Sequence, residues 1–395
     1  MNLPHRLRTL TLTTAAAATA LGVGAGLCAS ASAAPHDTTR STSPQGTAQN
    51  ATGQGVSGQG VSGQGVAPGG TEVVVPKAGV PFPYTAGLVR AAGADRYETA
   101  AIIAQGSFAP SADPAEQAAS AVFLTSGEAP ADALTAGPAA ASLDAPLLLT
   151  RTSELPAASA AQLTRLKPAT VYVVGGPERI TQAVLDAVAT AAPGASVQRI
   201  AGTDRYATAV AVADRFFPQA DSAVIARGDT FPDALSGGAA AAAGGVPLMI
   251  TEPGRLPAVV DTWLQDAALE TAVIVGSTAA VSESVADGIV AHLDNPADAE
   301  DLERLEGADR YETATVVASS FFPETDVQFI ATGENFPDAL AAVPAAALNA
   351  APVLLLPPAC SPASTVAYTL ASGASTQIVL GGPTSVTPEA LLTAC

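Results

Sequence analysis

Short, fully apolar runs alternate with longer amphipathic or alanine-rich stretches from about residue 88 to the end of the chain. In the middle of the chain the runs are Ser222 to Ala226, Val246 to Thr251 and Thr271 to Val275. They are too short for helices and lack a two-residue alternation, which predicts strands buried on both faces. Helical patterns separate them. One begins near Asp204, with Tyr206, Val210 and Ala213 roughly on one face, and another begins at Pro232. Two more run over Leu256 to Leu264 and Ser282 to Leu293, the last with Ser282 as N-cap. The same cycle places strands at Val122 to Thr125, Pro146 to Thr150 and Val171 to Val174, and again at Val327 to Ala331, Pro352 to Leu356 and Gln377 to Leu380. Strand–helix alternation of this kind predicts an α/β fold, each copy a mostly parallel sheet with flanking helices. Glu72 to Val75 offers the first copy an additional strand. The third copy stops soon after Thr387-Pro388-Glu389, so its last helix is expected to be very short.

The cycle is marked by repeated words. Gly93-Ala-Asp95-Arg96-Tyr97, Gly202-Thr-Asp204-Arg205-Tyr206 and Gly307-Ala-Asp309-Arg310-Tyr311 recur about every 105 residues. That period is domain-sized rather than solenoid-like, because about 100 residues can close a hydrophobic core. A thrice-repeated module favours binding over one composite catalytic site.

The ends add context. Arg6 and Arg8, the apolar stretch from Leu10 to Leu27 and the small residues Ala31-Ser32-Ala33 read as a cleavable export signal over residues 1–34. No comparable stretch follows, so no membrane insertion is expected after cleavage. A linker over 35–80 contains repeated Gly-Gln-Gly-Val and is expected to be disordered. The modules are assigned to 81–190, 191–296 and 297–395. Cys360 and Cys395, the pair left after signal removal, are expected to form a disulfide in an exported chain.

Charge and composition exclude several functions. Losing residues 1–34, with two arginines and no acid, takes the formal charge from −19 to −21. That field repels nucleic acid and anionic membranes. His292 is the only histidine in the predicted folded part, so no repeated histidine mechanism and no hydrolase triad can operate. Neither Gly-x-Gly-x-x-Gly nor a phosphate-binding Gly-Lys-Ser/Thr loop is present, and no Cys/His spacing suggests zinc.

Three elements could carry chemistry. In the first, Asp95, Asp204 and Asp309 cap helices, Arg96, Arg205 and Arg310 pair with acids between elements, and Tyr97, Tyr206 and Tyr311 pack in the core. Alternatively each arginine holds a carboxylate or phosphate of a polymer while the tyrosine stacks on a sugar. The second element is Gly228-Asp229-Thr-Phe231-Pro232-Asp233, matched by Gly333-Glu334-Asn-Phe336-Pro337-Asp338 and, without phenylalanine, by Gly127-Glu128-Ala-Pro130-Ala131-Asp132. Its acids could hold a cation or sugar hydroxyls at a strand's C-terminal edge; a bridging calcium ion is the one cofactor that reading admits. Alternatively Asp132, Asp233 and Asp338 favour a helix's positive first turn. The third is the turn Gly175-Gly176-Pro177 and Gly381-Gly382-Pro383, weakened to Gly276-Ser277-Thr278 in the middle copy.

These motifs, with Ala351-Pro-Val-Leu-Leu-Leu356, resemble the cell wall-binding repeat 2 family of exported bacterial surface proteins over roughly residues 88–395. The resemblance implies three repeats packed with pseudo-threefold symmetry within one chain and non-covalent attachment to wall polysaccharide or a secondary wall polymer. It transfers motif roles to Asp95, Arg96, Tyr97, Asp132, Asp204, Arg205, Tyr206, Asp233, Asp309, Arg310, Tyr311 and Asp338. A secreted interaction or adhesion module is the alternative, and a wall hydrolase a weaker one. The missing Phe-Pro in copy one and Gly-Gly-Pro in copy two set the equivalence of the three sites in question.

Overall fold

The computed structural model describes residues 72–73, 87–108, 119–295, 301–335 and 337–395. The expected export signal and the Gly-Gln-Gly-Val repeats lie outside the described residues. Strands β1 (Glu72–Val73) and β2 (Gly87–Ala91) precede helix α1 (Arg96–Ser107), and β3 (Ala121–Ser126), α2 (Pro130–Ala141), β4 (Leu147–Thr150), α3 (Ala157–Leu166), β5 (Thr170–Val174) and α4 (Gln182–Ala191) follow. The second cycle is β6 (Ser196–Ile200), α5 (Arg205–Phe216), β7 (Ser222–Arg227), α6 (Pro232–Gly244), β8 (Leu248–Thr251), α7 (Ala258–Ala267), β9 (Thr271–Val275) and α8 (Glu283–Val290). The third is β10 (Leu302–Leu305), α9 (Arg310–Phe321), β11 (Val327–Thr332), α10 (Ala342–Leu348), β12 (Val353–Leu356), α11 (Ala363–Ser372) and β13 (Thr376–Leu380). The apolar runs are therefore strands, and β3, β4, β8, β9 and β12 are buried along their whole length.

Each sheet borrows a strand across the motif boundary. The orders are β4-β3-β5-β6, β8-β7-β9-β10 and β12-β11-β13-β2-β1, parallel throughout except for the β1–β2 pair. Thus β6, just before the second Gly-x-Asp-Arg-Tyr, completes the sheet of the first cycle, and β10 completes that of the second. The N-terminal β2 completes the third, pairing Gly87–Ala91 with Thr376–Leu380 and closing the chain into a ring. Glu72–Val73 is indeed an additional strand, but it lies on that third sheet, against β2. Polar residues such as Ser196, Gln198 and Arg199 hide β6 from an apolar-run search, because an edge strand is half solvated.

An arginine fastens each borrowed strand to the turn beside it. Arg199 Nη1 and Nη2 donate to the Gly175 and Ile180 carbonyls at 2.6 and 2.7 Å. Arg304 Nη1 donates to Gly276 O at 3.0 Å. Arg90, only 2% exposed, donates to Gly381 O and Val386 O at 2.8 Å and to Gly382 O at 3.2 Å.

The core is shared rather than divided by module. Helices α2, α6 and α10 pack on one another, and one apolar cluster runs through residues of all three cycles. Their Ala- and Gly-rich sequences allow close approach. A methyl group on Gly137 would lie 2.9 Å from Val343 Cβ. Around this centre the three sheets repeat with pseudo-threefold symmetry.

The third cycle ends in a single 3-10 turn, Glu389–Leu391, as the early end of the chain predicts. Cys360 and Cys395 are bonded, and across the same join the Ser361 N–H donates to Thr393 O at 2.8 Å and the Cys395 N–H to Ser361 O at 2.9 Å. The disulfide closes 35 residues, a loop whose constraint contributes about 3 to 4 kcal/mol.

Reduction of Cys360–Cys395 should lower stability by up to about 3 to 4 kcal/mol, read as a lower urea midpoint. Arg90→Met, which strands buried carbonyls at the ring closure, should cost about 3 kcal/mol in the same assay. A smaller loss is expected for Arg304→Met, where one carbonyl bond is removed.

Candidate ligand-binding site

The first motif is a self-contained helix start. Asp95 Oδ1 accepts from the main-chain N–H groups of Tyr97 and Glu98 at 3.0 Å. Asp204 and Asp309 do the same at 2.8–2.9 Å. These side chains satisfy donors that a helix N-terminus otherwise leaves free. The motif's threonine closes the loop: Gly93, Gly202 and Gly307 donate their N–H to the Thr99, Thr208 and Thr313 hydroxyls at 3.0–3.1 Å.

The arginine and tyrosine join the first motif to the second. Arg96, Arg205 and Arg310 donate through Nη1 to the carbonyls of Gly127, Gly228 and Gly333 at 2.5–2.6 Å. Main-chain oxygen, not an acidic side chain, is thus the hydrogen-bonding partner of all three. The tyrosine ring lies against the same glycine: a methyl group there would come within 2.7, 3.1 and 2.4 Å of Tyr97, Tyr206 and Tyr311 Cε1. Tyr97 is buried, while Tyr206 and Tyr311 are half-buried. Burial raises the pKa of all three phenols, so they are neutral at physiological pH.

The second-motif aspartates lie at the turns that follow β5, β9 and β13. Asp132 and Asp233 occupy the first turns of α2 and α6. Asp338 lies in a turn ahead of α10. Each carboxylate backs onto the first glycine of the third motif. A methyl group on Gly175, Gly276 or Gly381 would meet the Oδ2 of Asp132, Asp233 or Asp338 at 3.1, 2.7 or 2.3 Å, and these glycines have φ of +132, +114 and +86°. Only glycine combines that backbone with that approach. The middle copy keeps this glycine, so loss of the second glycine and the proline spares the contact.

Charges then cross the module boundaries. Asp132 is only 7% exposed, and burial pushes its carboxyl up to about 6, against the pull of Arg179 and of Arg205 from the next module. Burial likewise raises Asp233, opposed by Arg227 and by Arg310 of the third module. At two junctions the carboxylate of one copy thus feels the charge of an arginine from the following copy. At Asp338 the neighbour is Ser385, whose hydroxyl donates at 3.4 Å.

Arg179 and Arg227 were invisible to a repeat-based reading because Ala280 and Ser385, or Ser126 and Thr332, stand at their places in the other copies. In the first two copies the acid after the second motif's glycine is already engaged. Glu128 accepts from the Thr152 hydroxyl at 2.6 Å, and Asp229 takes two bonds from Arg227 at 2.6 and 2.7 Å. These bonds hold both carboxyls below the usual range. Among the described residues no group of three or more His, Cys, Asp or Glu side chains converges to hold a metal ion. No described helix is long and apolar enough to cross a membrane.

Residues 90–185, 199–286 and 304–391 each match the model for cell wall binding domain 2 (CWB2). Among curated proteins the chain is 28% identical over 258 residues to the N-acetylmuramoyl-L-alanine amidase LytC of Bacillus subtilis (strain 168), covering 65% of this chain and 48% of that protein. It is 26% identical over 300 residues to the Amidase enhancer of the same organism, covering 76% and 39%. Among solved structures, Cwp6 from Clostridium difficile superposes with a TM-score of 0.70 at 27% identity, covering 82% of this chain and 51% of Cwp6. Cwp8 from Clostridium difficile gives 0.67 at 25% identity, covering 75% and 50%. The chain thus spans about half the length, or less, of these relatives.

Asp132 makes stability pH-dependent in an unusual direction for a carboxylate. Its folded value lies above the ordinary 3.8, so the folded state binds the proton more tightly and stability falls as pH rises from about 4 through 6. The full loss is about 3 kcal/mol above both values. Asp132→Asn should therefore be more stable than the parent at pH 7.5 by up to about that amount and equal to it near pH 4. Thermal unfolding of both proteins at the two pH values checks this.

Proposed function

This chain belongs to the cell wall binding domain 2 family of secreted, wall-associated proteins, and we propose that it holds an envelope polysaccharide or secondary wall polymer in the clefts between its modules. The observation that carries this reading is that the buried Asp132 and Asp233 each lie in the field of an arginine from the following module, Arg205 and Arg310. A buried carboxylate that costs stability and lies in the field of two arginines is a pattern that clusters at functional sites.

The chemistry fits a glycan. An aspartate accepts from sugar hydroxyls, and arginine forks donate to hydroxyls, carboxylates or phosphates. Arginines at the junctions provide positive charge within an acidic chain, so an anionic polymer can approach locally despite the overall field. Junctions repeated on one rigid ring raise retention through effective concentration, because a polymer released by one cleft stays near the next. The role is binding, with no bond made or broken.

Purified protein should sediment with bacterial walls and stay in the supernatant once secondary polymers are stripped from them. Asp132→Asn combined with Asp233→Asn should reduce retention at least tenfold while unfolding at an equal or higher temperature. Undiminished retention of that stable double variant would rule out the junction clefts. Equal sedimentation with stripped and intact walls would instead point to a protein or peptide receptor.

A further inference from the structure

The three cycles differ in the crevice between the motif-1 helix and the helix after the second core strand. In the first cycle Arg165, on α3, fills it. Its Nη1 donates to Phe108 O at 2.8 Å, its Nη2 to Ala104 O at 3.1 Å and its Nε to Gln162 at 2.7 Å. In the third cycle Tyr368, on α11, bridges it with a hydroxyl donated to Phe322 O at 2.7 Å. Both bridges end on the residue that closes the motif-1 helix, and Phe217 is its equivalent in the second cycle.

Among the described residues the second cycle shows no such bridge. Trp263 stands where Gln162 and Tyr368 do, and Asp266 stands where Arg165 does. The result is an open groove of about 450 Å³ between α5 and α7. Val210, Phe217 and Val259 give it apolar walls, while Asp214 and Asp266 stand exposed on opposite sides. None of its lining residues is basic. Trp263 lines the groove at 7% exposure, and its indole N–H donates to no group among the described residues.

We propose that this groove receives an arginine side chain presented by a polypeptide partner, which occupies the place Arg165 fills within the first cycle. The two carboxylates supply the charge complement of a guanidinium, and bonds between them are charge-assisted. The apolar walls suit an arginine stem and its apolar neighbours, since long cationic side chains bury their methylenes while the head stays polar. The volume exceeds what one guanidinium needs, which favours a peptide over a small free cation. This site is separate from the junction clefts and stands or falls independently of glycan binding.

Trp263 is the only tryptophan in the chain, so its fluorescence reports the groove directly. Titration of the full chain with acetyl-Val-Arg-Val-amide should give a saturable change. The citrulline analogue, isosteric but uncharged, should bind at least tenfold more weakly, and agmatine should also be weaker for want of the apolar flanks. Asp214→Asn combined with Asp266→Asn, and separately Asp266→Arg, should abolish the response while the unfolding midpoint is retained. No saturable change with the arginyl peptide would overturn the proposal, as would equal binding of the citrulline peptide or agmatine. The peptide comparison on the unmutated protein decides the matter even if a variant folds poorly.

Discussion

Every sheet in this protein depends on a strand from outside its own motif cycle, and the ring follows from that dependence. A four-stranded parallel sheet covered by helices needs its outer strand to shield the apolar strand beside it. Here that strand arrives from the chain that next enters a Gly-x-Asp-Arg-Tyr turn, and a buried or half-buried arginine fastens it to the neighbouring turn. For the third sheet the strand is β2, about 290 residues away from its partner in sequence. The two ends of the folded chain are consequently held by one another. The shared core of small-residue helices completes the arrangement, because no single cycle could bury α2, α6 or α10 on all sides by itself.

The junction sites are a product of the same ring. Asp132 belongs to the first cycle and Arg205 to the second, so neither cycle alone contains the pair. A carboxylate buried to this degree opposes folding at neutral pH, and the rest of the ring must offset it. Much of the first motif, by contrast, is scaffold. Its aspartate caps a helix, its threonine closes a loop, and its tyrosine fills the space left by a glycine in the second motif. Arg205 and Arg310 serve both purposes, bonded to a glycine carbonyl within their own cycle while their charge favours the ionised carboxylate of the preceding one.

The departures from symmetry are as informative as the symmetry. Ser385 takes the place of Arg179 in the third cycle, which gives Asp338 a hydroxyl partner rather than a guanidinium. Asp266 in the place of Arg165 turns a filled crevice into a groove. The Cys360–Cys395 bond secures a chain end that the other cycles secure with a helix.

Local physics made much of this legible in the amino-acid order. Apolar runs such as Thr271 to Val275 can be buried on both faces only as strands, and Asp204 before an amphipathic stretch is a helix cap wherever it occurs. The three-cycle α/β plan, the helix starts and the cysteine pair needed nothing further. Two things were out of reach. The half-polar strand from Ser196 to Ile200 carries no apolar signature, since its edge is solvated, and nothing in Gly87 to Ala91 says that it pairs with the far end of the chain. Nor does spacing reveal that the charge of Arg205 acts on Asp132 and that of Arg310 on Asp233. Residue order encodes contacts made within one or two elements; which copy's carboxylate meets which copy's guanidinium is set only when the ring closes and the central helices come together.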